Sequence, residues 1–170
     1  MIFRMLALMV ALGVSVGFGT VLAVEPKISD IRLEPDGRAR VTIAADASSY
    51  YVLYRGEVVT DIRLVSQLGL GAADSVQLTD SQAPAPAAAR FYRVEQVPLS
   101  APKDSDGDGI DDVYELQRRA FLDPLVKINP AQDTDADGVA DLEEYRQNTD
   151  PAAANSARIS FFASRWILNE

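Results

Sequence analysis

The sequence predicts a mainly β fold with a small α/loop segment: a β-sandwich followed by two aspartate-rich loop-helix repeats. Three observations carry that expectation. Residues 28–97 alternate apolar and polar side chains with period two between turn signals. Residues 104–151 repeat one acidic pattern twice, each time running into a short helical pattern. Between these regions Pro98 and Pro102 flank small residues, and the composition changes sharply across residues 99–103, as in a linker.

The β region, residues 25–98, starts with its clearest unit, a hairpin. Ile31 and Leu33 alternate with Arg32, Glu34-Pro35-Asp36-Gly37 supplies turn chemistry, and Ala39, Val41 and Ile43 alternate with Arg38, Arg40 and Thr42. Further strands are expected over residues 50–55 (YYVLYR), 58–65, 75–79 and 91–97 (FYRVEQV). Six short strands without a helical period favour a small sandwich. The Ala/Pro-rich residues 83–89 lack helix-start signals and read as a loop. The acids Glu57, Asp61, Asp74, Asp80 and Glu95 are scattered, which fits solvated strand and loop faces better than a catalytic carboxylate pair. Tyr50, Tyr51, Tyr54 and Tyr92 either fill the sheet core and its rim or offer faces on which sugar rings stack.

At the N-terminus, Arg4 precedes an apolar run from Met5 to about Phe18, and Val21-Leu22-Ala23 places small residues where a signal peptidase reads. Residues 1–23 are therefore expected to be a cleaved secretory signal. A retained anchor is the alternative, since the run is about long enough to span a bilayer; Gly, Ser and Thr in its second half weaken it. The mature chain is expected outside the cytoplasm, secreted or in the cell envelope, with no membrane association after cleavage. In the tail, residues 152–170, the apolar Ile159 and Phe161, then Trp166 to Leu168, suggest a further β element.

Composition excludes several chemistries. The chain has no histidine and no cysteine, which removes thiol and imidazole nucleophiles or bases, zinc-type ligands and disulfides. Its net charge is -9, from 16 Lys and Arg against 25 Asp and Glu, so nucleic acid is not an expected partner. The excess is local: 14 of the acidic residues but 5 of the basic ones lie between Leu99 and Asp150, while the rest of the chain is balanced.

That acidic third contains two copies of D-x-D-x-D-G-[IV]-x-D-x-x-E, offset by 29 residues and beginning at Asp104 and Asp133. The spacing has a physical reason. Carboxylates at positions 1, 3 and 5 of a tight loop converge on one point, glycine at 6 permits the turn, and the carbonyl at 7 adds an oxygen. The acid at 9 binds directly or through water, and Glu at 12, on the following helix, closes the shell with both oxygens. An all-oxygen, highly charged cage suits calcium, with about two ions for the two loops. Without a cation the carboxylates repel. A paired EF-hand is not expected, because no helical pattern enters either loop and Asp111 and Ala140 occupy position 8, where an apolar residue is usual. Outgoing helices are expected from Asp112 to about Ala120 and from Asp141 to about Gln147, each followed by Asp-Pro.

DSDGDGIDDVYEL, then FLDP, then DTDADGVADLEEYRQNTDP resemble the thrombospondin type 3 repeat in its bacterial form. The resemblance covers residues 104–151. It implies a calcium-stabilised connector in a secreted or surface protein, with Asp104, Asp106, Asp108, the Ile110 carbonyl, Asp112 and Glu115 as ligands in one copy. In the other copy they are Asp133, Asp135, Asp137, the Val139 carbonyl, Asp141 and Glu144. Two features depart from that pattern: Ala136 stands where a glycine is frequent, and the stretch between copies is longer than in tightly stacked arrays. Upstream, the FYRV strand placed just before the acidic repeat is similar to fibronectin-type-III-like modules of secreted bacterial proteins. The resulting expectation is a non-enzymatic calcium-binding structural protein, whose further partner would be another extracellular protein or a polysaccharide. The alternative is a dockerin-like calcium-dependent interaction module, which Glu at position 12 and the arginines Arg118, Arg119 and Arg146 on the helices disfavour.

Overall fold

A computed structural model describes residues 26–81 and 90–154. The expected signal (residues 1–23), the Ala/Pro loop (83–89) and the tail element around Ile159, Phe161 and Trp166 lie outside the described residues. The chain divides into two compact units between Lys103 and Asp104. Among the described residues no helix is long and apolar enough to cross a membrane.

Among the described residues the first unit is built from six strands: β1 (Ile28–Leu33), β2 (Ala39–Ala44), β3 (Ser49–Gly56), β4 (Leu64–Leu70), β5 (Ser75–Thr79) and β6 (Phe91–Pro98). They form two three-stranded antiparallel sheets, ordered β1-β2-β5 and β4-β3-β6. The β1–β2 hairpin closes as the turn residues require: the Gly37 N–H donates to the Glu34 carbonyl at 2.8 Å, and the Asp36 carboxylate accepts from the Arg38 N–H at 2.9 Å. Alternation along β2 buries Ala39, Val41 and Ile43 while Arg40 faces solvent. β3, central in its sheet, buries both faces. Tyr51 and Leu53 join Ala39, Val41, Ile43, Leu78, Tyr92 and Val94 in one core cluster that draws on both sheets. Tyr50 and Val52, on the opposite pleat, pair with Val97 and Leu68, which are also buried.

Two sequence expectations change here. The strand placed at residues 58–65 is instead a connection with an isolated bridge between Val58 and Asp61, and pairing with β3 begins only at Leu64 and runs to Leu70. Val58 and Leu64 are exposed, whereas Ser66 and Leu68 are buried. The apolar run VVTDIRLV is thus mostly a surface loop. The glycine-containing SQLGL carries the ladder, because its alternate side chains fall on the face that β3 can cover. The four tyrosines resolve toward packing: Tyr50, Tyr51 and Tyr92 are buried, and the ring of Tyr54 lies under the Arg93 guanidinium at 3.8 Å.

Asp80, directly after β5, is fully buried and joins the sheets by charge. It accepts from Ser66 Oγ (2.7 Å), Arg90 Nη1 (2.7 Å) and the Tyr92 hydroxyl (3.1 Å), with Arg55 Nε 3.6 Å away. Such a carboxylate is tolerable in the interior only because its oxygens are met by cations and hydroxyls. Glu95 is engaged as well, by Lys103 and by the Tyr54 hydroxyl at 2.7 Å.

Among the described residues the second unit has two short helices, α1 (Asp112–Gln117) and α2 (Asp141–Gln147). α1 ends before the expected Ala120: the Arg118 N–H bonds the Glu115 carbonyl, and a turn carries Phe121 and Leu122 back to the interior. α2 ends at Asn148 in the left-handed conformation (φ 54°), a common helix stop for asparagine. The apolar centre among the described residues is small: Ile110, Leu122 and Ile128 are buried, with Tyr114, Phe121, Leu142 and Tyr145 packed against them.

Candidate metal centres

Each acidic loop is wound by its own aspartates. Asp104 Oδ1 accepts from the N–H groups of Gly107 (2.7 Å) and Asp108 (3.2 Å), and its Oδ2 from Gly109 (3.0 Å). Asp106 Oδ1 accepts from Asp108, and Asp108 Oδ1 from Ile110, at 3.2 and 2.9 Å. These side-chain turns suit aspartate, whose carboxylate reaches the backbone two residues on. As a result Asp104, Asp106 and Asp108 each bring a carboxylate oxygen within 4.8 Å of the others, and Asp133, Asp135 and Asp137 do the same. Either triplet could hold a metal ion.

A buried acid accompanies each triplet. Glu115, one turn into α1, is 1 % exposed, and neither of its carboxylate oxygens has a hydrogen-bond partner among the described residues. Burial, reinforced by the charges of Asp106, Asp108, Asp112 and Asp104, pushes its carboxyl up to about 8. Asp106 is pushed up to about 6 by burial and then by Asp108, and its Oδ2 is also buried without a partner. In the second loop Asp133 Oδ1 and Asp135 Oδ2 are buried without partners. Glu144 is fully buried and its carboxyl is raised, first by burial and then by Asp135. Leaving buried carboxylate oxygens without donors costs several kcal/mol unless a cation or proton meets them. The donor set therefore fits a metal ion that prefers oxygen: carboxylates only, clustered in two triplets, with some of their oxygens buried.

The acid at position 9 also has partners within the loop. Sequence spacing put Asp112 and Asp141 among the ligands. In the structure Asp112 Oδ1 and Oδ2 accept from the N–H and the hydroxyl of Ser105, both at 2.8 Å. Asp141 repeats the clasp with the N–H (2.8 Å) and hydroxyl (2.6 Å) of Thr134, and also accepts from Gln132 Nε2 at 2.8 Å. Both aspartates thus pin the start of the loop to the first turn of the following helix, the helix that carries Glu115 or Glu144. Ser105 and Thr134 escaped the sequence reading, although a hydroxyl at position 2 in both copies was the available signal. Ile110 and Val139 donate their N–H groups to Asp108 and Asp137, and the Ile110 side chain is in the core. Two further supports had no signal: the Ile128 N–H donates to Asp108 Oδ2 at 2.8 Å, and Lys127 Nζ to the Gly107 carbonyl at 3.2 Å.

The copies differ at position 4. Gly107 has φ 75°, and its counterpart Ala136 is held at φ 62°, where a Cβ is disfavoured by roughly 1–2 kcal/mol. Ala136→Gly is expected to stabilise the second unit by about 1 kcal/mol after glycine's extra chain entropy is deducted. The check is a thermal melt with cation at saturation, where a rise of a few degrees is expected; an unchanged or lower midpoint would show that the loop relaxes around alanine.

Compared with known protein families, curated proteins and solved structures, the chain matches none.

Proposed function

We propose that the chain is a secreted or cell-surface calcium-binding connector, in which calcium rigidifies an acidic repeat unit attached to a small β-sandwich. The observation that carries this reading is Glu115: a buried carboxylate with two partnerless oxygens, on the helix that leaves a loop of three converging aspartates. The core cluster drawing on both sheets supports the sandwich reading. In the repeat unit, the few apolar side chains buried among the described residues (Ile110, Leu116, Leu122 and Ile128) are too little core to offset the ordering of about 50 residues, which supports stabilisation by a ligand. Calcium accommodates flexible, carboxylate-rich shells, whereas magnesium demands a tighter octahedron and keeps its waters. Two ions would contribute +4 against the local excess of acid. The repeat pattern, with the clasp and the closing helix, supports placement among thrombospondin type 3-like repeats. Asp80, the acid of the β unit that is fully buried, and the half-buried Glu95 are held by arginine and lysine, which supports a non-enzymatic role.

The test is a calcium titration of the chain, followed by calorimetry and circular dichroism. Two ions should bind at roughly 10⁻⁴ to 10⁻³ M, as in extracellular modules, with a rise in helical signal and melting temperature, and magnesium should do much less. No uptake at several-fold higher calcium would overturn the proposal.

A further inference from the structure

Asp111, at position 8 of the first copy, belongs to no carboxylate triplet. Its Oδ1 caps α1, accepting from the N–H groups of Val113 and Tyr114 at 3.0 and 2.9 Å, and its Oδ2 accepts from the Tyr145 hydroxyl at 2.8 Å. Tyr145 immediately follows Glu144, the buried acid of the second centre. A reciprocal link starts from Tyr114, which immediately precedes Glu115. The Tyr114 hydroxyl donates to the Thr149 carbonyl at 3.3 Å, and the Thr149 hydroxyl donates to Glu144 Oε1 at 3.3 Å. The two tyrosine rings pack edge to face, 4.8 Å between centroids at 70°, with the Arg118 guanidinium 3.6 Å over the Tyr114 ring.

We propose that Tyr114 and Tyr145 couple the two cation centres, so that filling one raises the affinity of the other. The proposal rests on the calcium reading above. Each buried glutamate sits next to a tyrosine that is bonded to the other repeat. When Glu115 is drawn onto an ion, the first turn of α1 is fixed with it, including Asp111 and Tyr114. Those two groups then hold Tyr145 and Thr149, the residues that orient Glu144. Ordering of the shared tyrosine pair is completed with the first ion, and the second binds a site already arranged. Reciprocity follows from linkage, because the second centre must help the first by the same factor. Tyr114 and Tyr145 act here as positioning residues and touch no ion.

Calcium calorimetry on the whole chain tests this, with the circular dichroism of each variant at saturating calcium as the measure of folding. Wild-type chain should bind two ions with a Hill coefficient clearly above one. Disabling the first centre with Glu115→Gln should weaken the second by about tenfold. In Tyr114→Phe/Tyr145→Phe, which keeps both rings, two ions should still bind at saturation, but with a Hill coefficient near one. On that background Glu115→Gln should no longer affect the second centre. If the double variant fails to fold, Tyr145→Phe alone should cut the tenfold effect severalfold. Two ions bound independently by the wild-type chain, or coupling that survives loss of the hydroxyls, would overturn the coupling alone. Absence of any calcium uptake would overturn the underlying reading as well.

Discussion

Glu115→Gln is expected to shift the stability of the repeat unit in opposite directions with and without calcium. Without a cation, the substitution removes a buried acid surrounded by Asp104, Asp106, Asp108 and Asp112, whose charges together with burial push its carboxyl up to about 8. A neutral amide of nearly the same shape removes the cost of protonating that acid on folding, so above about pH 4.5 the calcium-free melting temperature should rise. With calcium, the same change replaces a carboxylate that can offer both oxygens by an amide with one weak carbonyl. Affinity at the first centre should fall by roughly 100-fold, since ligand charge sets calcium affinity in such loops. Thermal melts of both forms in chelator and in millimolar calcium, with calorimetric titration beside them, provide the check. A variant that melts lower in chelator would show that Glu115 stabilises the fold by itself, and the assignment of its oxygens to a cation would then fail.

The repeat unit should also reverse its pH dependence when calcium is added. Glu115 is raised to about 8 and Asp106 to about 6, and Glu144 and Asp135 are raised as well. An acid whose folded value lies above its unfolded one binds more protons in the native state. Its contribution is therefore complete below the unfolded value and is lost as pH rises through the folded one. The calcium-free unit should lose stability between about pH 4.5 and about pH 8, the interval that Glu115 spans. Calcium needs the same groups deprotonated, so its affinity, and the stability it confers, should rise over that interval. Urea midpoints at pH 5 and pH 8, each in chelator and in saturating calcium, should cross. Parallel pH trends in the two conditions would show that protons and calcium do not compete for these carboxylates.

Much of this was legible in the sequence because the relevant forces are local. Turn chemistry at Glu34 to Gly37 and strict alternation in β2 specify a hairpin without reference to distant residues. The aspartate spacing likewise specifies the loops, since each carboxylate bonds an N–H a few residues ahead. Where the reading went astray, the deciding partner was remote. Residues 58–65 have good strand composition, yet the bulge between Leu53 and Tyr54 and the pairing of Tyr50 with Leu70 set the register of β4, and composition cannot report a register. The clasps of Asp112 with Ser105 and of Asp141 with Thr134 are visible only in the folded loop, because spacing does not report which groups a carboxylate meets.

By itself the sequence determined the mainly β composition of the first unit, the two acidic loops and their closing helices, and an oxygen-only donor set in a chain without histidine or cysteine. Tertiary structure alone decided which acids remain unsatisfied. Asp80 and Glu115 are both buried carboxylates; the repeat spacing marks Glu115, but nothing in the sequence around Asp80 marks its burial. Asp80 meets Ser66, Arg90 and Tyr92, whereas Glu115 lies in the field of Asp104, Asp106, Asp108 and Asp112, and its oxygens have no hydrogen-bond partner among the described residues. Burial charges the same desolvation cost to both. One is compensated within the fold, and the other is left with oxygens that a cation can use.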